Sequence, residues 1–379
     1  MKLREPKYTT VVNWVRDNII SGAFKVGERL PSEHELSERF GLSRQTVRHA
    51  IEVLEQQRLV TRKQGSGTYI GESTRAGRRQ RCGNIAVIST YVDSYIFPPV
   101  LRGIEGVLSA EGYTTQIAFT SNRISREGDI LRNLIEREAI DGLVVEPAKS
   151  ALPNPNIHYY RKFMEAQIPI LFFNSSYPEL GLPCVALDDV RVARKAADYL
   201  VRAGHRKIGG IFKSDDGQGH FRYSGFLESV LTAGIKLKSR NVVWIDTDDF
   251  RHLEQVESYL FYRLEGCTAV LCYNDELAYL LAGFCQKRGI RVPEDLSIIS
   301  IDNSDLATMG DVHITSFPHP MERLGKKVGE NMVKMIENPY FDGTWLFDSE
   351  VVEGDSVKRL KVDNNIEFGG SDYAESKKL

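Results

Sequence analysis

The 379-residue sequence has few cysteines and no long apolar run. Its five cysteines are odd in number and scattered, and no C-x-x-C occurs. This argues against a disulfide framework or a zinc site and fits a reducing compartment. No run of eighteen apolar residues exists, so the sequence predicts no transmembrane helix. No signal-peptide h-region opens the chain. We therefore expect a cytoplasmic protein with no membrane partner, metal or cofactor.

The signatures of several enzyme classes are missing as well. No G-x-G-x-x-G, G-K-[ST], G-x-S-x-G or H-E-x-x-H occurs. The nearest glycine cluster, GSGTYIG, precedes no helical pattern, so a phosphate-binding loop is not predicted. The adjacent Asp215 and Asp216 could do acid–base work, but nothing in the sequence supplies a second reactant. We therefore expect that the protein is not an enzyme.

Charge is unevenly distributed, although the formal net charge is only −2. Residues 1–81 carry 16 Lys and Arg against 9 Asp and Glu, and the remainder carries 33 against 42. A basic N-terminal segment joined to an acidic remainder predicts that the first segment meets a polyanion. Chance unevenness is the alternative interpretation.

The basic segment has the pattern of three helices and a hairpin. Apolar residues at helical spacing precede SGAFKVGERLPS, whose glycines and proline act as breakers. Ser32 and Glu35 form a capping box for a second helix, which Gly41 can end. Ser43 can cap a third helix, and LVTRKQGSGTYIG then alternates like two strands around Gly65–Ser66–Gly67. This order predicts a winged helix-turn-helix over residues 1–70; a charged helical hairpin is the alternative.

Polar side chains crowd the start of the predicted third helix, off its apolar face. They are Arg44, Gln45, Arg48 and His49. The last helix of a winged helix-turn-helix enters the major groove of double-stranded DNA. We therefore expect Arg44 to contact guanine edges or phosphates. Residues 71–82 are polar and basic and predict a linker.

From Gly83 onward, short apolar runs alternate with amphipathic stretches. The runs are NIAVIST, TTQIAFT, DGLVVE, IPILFFN, KIGGIFK, NVVWID, TAVLCYN and LSIISID. Such alternation predicts an α/β fold of parallel sheets with helices on both faces. Eight strands over about 220 residues exceed one doubly wound unit. We therefore expect two similar lobes with a cleft over residues 83–360, and a mobile tail over residues 361–379.

Candidate ligand-binding residues follow the predicted strands, because ligands of parallel sheets lie beyond the carboxyl ends of the strands. The predicted site comprises Tyr91, Tyr95, Phe97, Glu146, Lys149, Phe173, Lys213, Arg222, Tyr273, Asn274, Asp275, Asp302 and His319. Further strand-end residues are Asp93, Ser94, Phe172, Asn174, Asp215, Asp216 and Asn303. Charged groups with aromatic rings suit vicinal hydroxyls and the C–H face of a sugar. We therefore expect a small, polar, neutral effector such as a monosaccharide.

Individually, several of these residues have structural alternatives. Asp275 could be a helix cap, Phe173 a core residue and His319 a surface histidine. The residues alone support a small polar ligand and do not select one.

The segment RLPSEHELSERFGLSRQTVRHAIEVLEQQRLVTRKQGSGTYI resembles the N-terminal module of the GntR family. The pattern of that family is P-S-E-x-E-L, then S-R-x-T-V-R-x-A, then G-x-G-T, and the match covers about 65 residues. The rest resembles the LacI-type effector domain, which is akin to periplasmic sugar-binding proteins. With GIFKSDDGQGHFRYSGF and AVLCYNDELA, the combination is similar to the arabinose repressors of Gram-positive bacteria, up to about Leu360.

This resemblance implies a homodimeric, nucleoid-associated repressor of arabinose-utilisation genes, which L-arabinose releases from operator DNA. For the DNA contacts it implies Lys7, Arg44, Gln45, Thr46, Arg48, Gln64 and Gly65. For the effector contacts it singles out Arg222, Asp275 and Asp302. The segment EVVEGDSVKRL departs from the family pattern, since a family arginine near residue 353 is absent. A different sugar or a purine as effector, and an activator in place of a repressor, are the alternatives.

Overall fold

A computed structural model describes residues 8–20, 23–56, 59–63, 65–71, 81–92, 95–137 and 140–360. The chain divides into two compact units. One unit is Met1–Cys82 with Lys334–Asp342, and the other is Gly83–Val333 with Gly343–Leu379. The predicted tail, most of the predicted linker, Lys7, Gln64, Asp93 and Ser94 lie outside the described residues. Among the helices described, none is long and apolar enough to cross a membrane.

The first unit has the predicted order of elements. Three helices, α1 (Tyr8–Ile20), α2 (Glu33–Phe40) and α3 (Arg44–Gln56), precede strands β1 (Val60–Lys63) and β2 (Gly67–Ile70). The strands pair antiparallel to form the wing. Apolar residues from all five elements form one buried cluster. The prediction of a winged helix-turn-helix is therefore confirmed.

Local hydrogen bonds fix the start of α2 and the turn between α2 and α3. The Ser32 hydroxyl accepts from the Glu35 amide at 3.3 Å, and the Glu35 carboxylate accepts from the Ser32 amide at 2.7 Å. Gly41 ends α2 in the left-handed conformation, with φ at 62°. The Ser43 hydroxyl then accepts from the Thr46 amide at 3.2 Å. Both predicted caps and the glycine stop are present, so the turn is short because each helix end is satisfied locally.

The second unit contains two parallel sheets. The first lobe has β3 (Asn84–Ser89), β4 (Thr114–Phe119), β5 (Gly142–Val145), β6 (Ile170–Phe173), β7 (Cys184–Leu187) and β13 (Trp345–Phe347). The second lobe has β8 (Ile208–Lys213), β9 (Val242–Ile245), β10 (Ala269–Cys272), β11 (Ser297–Asp302) and β12 (Thr315–Pro318). The strand orders are β13-β7-β6-β5-β3-β4 and β12-β11-β10-β8-β9. The predicted α/β class with two similar lobes is confirmed.

Helices connect the strands and cover the sheets. Those that follow first-lobe strands are α4 (Phe97–Ala110), α5 (Ile124–Arg137) and α6 (Ile157–Glu165). Those of the second lobe are α7 (Asp189–Arg202), α8 (Gly217–Thr232), α9 (Thr247–Arg251), α10 (Leu253–Leu264), α11 (Asp275–Lys287) and α12 (Leu306–Met309). Helix α13 (Met321–Glu337) follows β12 and packs against α4.

The chain passes between the lobes three times, after β7, after β12 and after β13. After β13 the chain returns to the second lobe, where Val352 pairs with Ser316. Strands β7, β12 and β13 are absent from the eight strands that the sequence predicts. Each is three or four residues long, and Pro318 ends β12. Length does not explain their omission, because the predicted β5, β6, β9 and β10 are also four residues long.

Two glycines of α4 give a matched test of the packing between α4 and α13. A Cβ atom on Gly103 would lie 2.5 Å from the Glu322 carbonyl oxygen, whereas one on Gly106 would have nothing within 4 Å. We expect Gly103→Ala to destabilise the protein by about 1–3 kcal/mol, because the helix backbones must separate. We expect Gly106→Ala to stabilise it by up to about 1 kcal/mol, because alanine favours a helix.

Thermal denaturation followed by circular dichroism measures both effects. Opposite shifts of the melting temperature are expected. A shift in the same direction for both variants would show that close helix contact is not what requires glycine at position 103.

Candidate functional site

A cavity of about 540 Å³ lies between the two lobes of the second unit, at the carboxyl ends of their strands. Both lobes contribute polar and aromatic side chains to its wall. Nine of the predicted residues line it: Tyr91, Tyr95, Phe97, Glu146, Lys213, Arg222, Tyr273, Asn274 and Asp302. Residues separated by more than two hundred positions in the sequence thus meet around one space.

Four predicted residues lie elsewhere among the described residues. Phe173 is fully buried within β6, and Lys149 forms an ion pair with Asp215, with 3.3 Å between Nζ and Oδ2. The remaining two, Asp275 and His319, are buried and bonded to other protein groups. The structure therefore places these four behind or beside the cavity wall rather than on it.

Asp275 shows why a strand-end carboxylate need not face a ligand. Its oxygens accept from the hydroxyls of Ser300, Ser304 and Ser316, and from the Ser304 amide at 2.6 Å. Burial raises the pKa of Asp275 to about 6. The cap of α11 is Asn274, whose side-chain oxygen accepts from the Leu277 amide. Asp275, at the start of α11, is thus bonded to β11, to the loop after β11 and to β12, a role that the sequence does not reveal.

Several cavity residues were missed at the sequence level. They include Thr90, Asn122, Ser150, Ser175, Gln218, Thr247, Phe250, Arg251, Glu254 and Glu276. Asn122 and Thr247 follow β4 and β9, so the strand-end rule could have found them. Others come from the first turns of α10 and α11, where sequence shows only an ordinary solvated helix face.

Arg222 is the most buried charged side chain of the cavity. It lies in the second turn of α8, with 1% of its surface exposed. Its Nε donates to Asp189 Oδ1 at 2.7 Å, and Nη2 donates to Asp302 Oδ1 at 3.2 Å. Burial alone disfavours the cation, but the two carboxylates outweigh it and raise the pKa of Arg222 above its ordinary value. The guanidinium is therefore a permanent charge in a fixed orientation.

Lys213 is the second buried cation of the wall. Its Nζ lies 2.6 Å from Asp216 Oδ2 and 3.9 Å from Asp215 Oδ1. Burial opposes its charge, and the two aspartates more than compensate, so the pKa of Lys213 is raised. Like Arg222, it already faces two carboxylates. Both buried cations are thus neutralised by protein groups.

Glu146 forms the opposite wall, in the first lobe. Its Oε2 accepts from the Thr90 amide at 2.9 Å and from the Thr90 and Ser89 hydroxyls, and its Oε1 accepts from Asn174 Nδ2 at 2.7 Å. Burial raises the pKa of Glu146. Among the described residues, four donors and no cation fix this carboxylate, which keeps the first-lobe wall polar and rigid.

Tyr95 connects the two walls. Its hydroxyl donates to Asp302 Oδ2 at 2.5 Å and accepts from the Asp275 amide at 3.2 Å. Tyr95 belongs to the first lobe and both partners to the second. Tyr91 and Phe97 pack edge to face nearby, with ring centroids 5.4 Å apart. The cavity therefore combines aromatic rings with carboxylates and cations that hold one another.

The predicted DNA-contacting residues lie on the first unit. Arg44, Gln45 and Arg48 are exposed on α3, and Thr46 is half-buried beside the cap. Gly65 is exposed in the turn of the wing, with φ at 73°. Arg48 Nη2 also lies 3.1 Å from Glu33 Oε2 of α2, a contact that the sequence did not predict. This pair holds the guanidinium beside the first residue of α2.

An exposed winged helix-turn-helix and a two-lobed cavity domain define a ligand-responsive transcriptional regulator. Residues 7–70 match the family of bacterial regulatory proteins, gntR family. Residues 197–357 match the periplasmic binding protein-like domain. The transcription regulator CcpA of Lactococcus lactis has the same fold, with a TM-score of 0.65 at 22% identity over 73% of this chain and 99% of that chain.

Two relatives are similar along nearly the whole chain. The arabinose metabolism transcriptional repressor of Geobacillus stearothermophilus is 36% identical over 94% of this chain and 98% of its own length. That of Halalkalibacterium halodurans is 36% identical over 88% of this chain and 90% of its own length. The chain belongs to the family of arabinose metabolism transcriptional repressors. It is a DNA-binding transcriptional repressor and not an enzyme, in agreement with the prediction from sequence.

The Arg48–Glu33 pair allows a charge-specific test of the DNA interface. We expect Arg48→Ala to weaken operator binding by about tenfold or more, since a good bidentate base contact contributes about 1–3 kcal/mol. If Arg48 contacts a phosphate instead, the slope of log affinity against log salt should fall by about 0.9. Fluorescence anisotropy with a labelled operator duplex at several salt concentrations measures both quantities.

Glu33→Ala is the matched control, because it frees Arg48 and removes one negative charge near the DNA. We expect it to leave operator affinity unchanged or to increase it. An equal loss of affinity in both variants would mean that the pair only stabilises the fold.

Proposed function

We propose that this repressor controls genes of arabinose metabolism and that L-arabinose is its effector, bound in the cavity between the lobes. The observation that supports this most directly is the charge arrangement of the cavity wall. Its two buried cations face carboxylates of the protein, while amides, hydroxyls and aromatic rings complete the wall. A neutral, hydroxyl-rich ligand suits such a wall.

The buried part of this wall disfavours an anionic ligand; the exposed cations Arg251 and Lys287 also line the cavity. A phosphorylated sugar would bring between one and two negative charges close to Glu146, Asp216 and Asp302. Neither Arg222 nor Lys213 could pair with a phosphate without leaving a buried carboxylate unpaired, which is strongly unfavourable. A free pentose, in contrast, donates hydroxyl protons to carboxylates and accepts from the remaining N–H groups of Arg222.

The repressor would act as a homodimer on operator DNA in the cytoplasm. A single winged helix-turn-helix makes few phosphate contacts, and linking two of them raises the effective concentration of the second on a two-fold operator. Among the described residues, the DNA contacts would come from Arg44, Gln45, Thr46, Arg48 and Gly65.

L-arabinose would favour the lobe arrangement that it contacts from both sides. If that arrangement has a lower operator affinity, the DNA is released.

A ligand panel tests the identity of the effector. We expect L-arabinose to raise the melting temperature, because a ligand that binds only the folded state stabilises it by about 2.7 kcal/mol at one hundred times its Kd. D-arabinose, a hexose and arabinose 5-phosphate should give smaller shifts or none. Operator release, measured by anisotropy, should follow the same order. Binding of the phosphate in preference to the free sugar would contradict the charge argument.

Arg222→Lys separates effector binding from DNA binding. Lysine keeps the positive charge beside Asp189 and Asp302 but cannot reproduce the planar fork that orients both. We expect at least a tenfold loss of affinity for L-arabinose, while operator affinity remains that of the wild type. Isothermal titration calorimetry and anisotropy measure the two affinities.

Arg291→Lys serves as the control for this variant, because Arg291 makes a similar pair with Asp295 at the surface. It should leave both affinities unchanged. Loss of operator binding by Arg222→Lys, with sugar binding intact, would overturn the assignment of the cavity.

A further inference from the structure

Hydrogen bonds and an ion pair between protein groups join the two lobes at the edge of the cavity farthest from the chain crossovers. The crossovers leave β7, β12 and β13, which lie at one end of their sheets. Strands β4 and β9 lie at the other end. Residues that follow β4 and β9 contact each other across the cavity mouth. Asn122 and Thr247 also line the cavity, but the ligand contacts proposed above do not use them.

Asn122, which follows β4, is at the centre of these contacts. Its Nδ2 donates to Thr247 Oγ1 at 2.8 Å and to Asp216 Oδ1 at 3.3 Å, both in the second lobe. Its Oδ1 accepts from the Lys149 amide at 2.7 Å. The backbone of Asn122 has φ at 55°, in the left-handed region that asparagine tolerates better than most residues. The side chain is thus held by three partners from both lobes.

Asp215 of the second lobe completes the arrangement. Its Oδ2 accepts from the Thr247 hydroxyl at 2.6 Å and from the Thr247 amide at 3.1 Å, and lies 3.3 Å from Lys149 Nζ of the first lobe. We call Asn122, Lys149, Asp215 and Thr247 the far-edge clasp. Asn122, Asp215 and Thr247 are each at most 3% exposed. Buried hydrogen bonds of this kind hold a geometry more firmly than exposed ones.

Two hydrogen bonds donated by backbone amides beside the clasp also connect the lobes. The Ala151 amide of the first lobe donates to the Asp215 carbonyl at 3.3 Å. The Gly217 amide of the second lobe donates to the Ser150 hydroxyl at 2.9 Å. Both bonds must break when the lobes separate at this edge. These amides therefore report directly on lobe closure.

We propose that the far-edge clasp joins the lobes at this edge without an effector, so that the effector binds a cleft with one edge already in place. The effector's own contacts with both lobes then complete the arrangement that releases DNA. The apparent affinity for the effector then depends on the fraction of closed molecules, which the clasp sets. The statement about effector affinity rests on the function proposed above, whereas the statement that the clasp joins the lobes does not. Asn122 lines the cavity, and we assign it a positioning role because its side-chain nitrogen and oxygen are already bonded to protein groups.

Native-state hydrogen exchange of the full chain without added sugar tests the clasp. We expect the Ala151 and Gly217 amides to exchange at least tenfold more slowly than unprotected peptide amides, because exchange requires opening. Exchange of both amides at the unprotected rate in the wild-type protein would overturn the proposal without any variant.

Asn122→Asp tests the role of the side chain. Aspartate has the shape of asparagine and also tolerates a positive φ. It places a carboxylate oxygen against Asp216 and removes the donor to Thr247. We expect the Ala151 and Gly217 amides to exchange at least tenfold faster than in the wild type. Wild-type exchange rates in this variant would contradict the proposal.

Asn331→Asp is the matched control, because Asn331 is buried and donates to the Gly343 carbonyl at 2.9 Å within its own lobe. It should lower the melting temperature without changing the exchange of Ala151 and Gly217. Equal acceleration in both variants would assign the effect to general destabilisation and overturn the proposal.

A titration with L-arabinose separates this inference from the proposed function. We expect Asn122→Asp to bind L-arabinose with about tenfold lower apparent affinity, as the closed fraction falls. If the wild-type protein does not bind L-arabinose but the exchange results hold, the effector assignment fails and the clasp stands. If the variant binds L-arabinose like the wild type despite faster exchange, the link between clasp and effector affinity is wrong.

Discussion

The buried ion pairs of Arg222 with Asp189 and Asp302 are the interaction on which the effector domain depends. They fix the start of α7, the second turn of α8 and the end of β11 relative to one another. Removing one partner of such a cluster leaves an uncompensated buried charge, which typically destabilises a protein by about 3–5 kcal/mol. Asp302 also accepts from Tyr95 of the other lobe. The cluster therefore supports both the cavity wall and a contact between the lobes.

The buried charges of this site are paired with protein groups, and the exposed cations Arg251 and Lys287 lie elsewhere on the wall. The cations Arg222 and Lys213 and the acidic Glu146 all have protein partners before any ligand arrives. The wall therefore presents to a ligand oriented lone pairs and N–H groups at fixed positions. Hydrogen-bonding sites of this kind reject a ligand that lacks one matching hydroxyl, because a buried polar group is then left unpaired.

Features carried by local patterns could be predicted from the sequence. The caps at Ser32 and Ser43, the glycine stop at Gly41 and the alternation of strands and helices each depend on neighbouring residues. Contacts between distant residues could not be predicted. Arg48 contacts Glu33, fifteen positions away. Asp275 accepts from three serines because β11 lies beside β10 and β12 lies beside β11. The strand-end rule gave the correct edge of the sheet but not the direction of each side chain.

Asn122 is a further residue whose role depends on contacts between distant parts of the chain. It obeys the strand-end rule, yet a single asparagine after a strand is also typical of a turn. Its role depends on Thr247 and Asp216, and their proximity follows from the facing of two separate sheets. No local pattern in either segment shows that the two sheets face each other.

The crossover after β12 connects the cavity wall to the part of the chain that must bend if the lobes move. His319 lies there, and burial lowers its pKa to about 3, so the ring is neutral. Because Asn174 donates its amide to Glu146, its oxygen faces His319, and Nε2 of the ring must donate to it at 3.2 Å. Glu146 is thereby linked to the crossover through two hydrogen bonds. A ligand that shifts Glu146 must strain or repack this chain. A ligand moves an equilibrium only by its differential affinity for the two states. The hydrogen bonds from Glu146 through Asn174 to His319 give an effector that contacts Glu146 a way to favour one arrangement of the lobes.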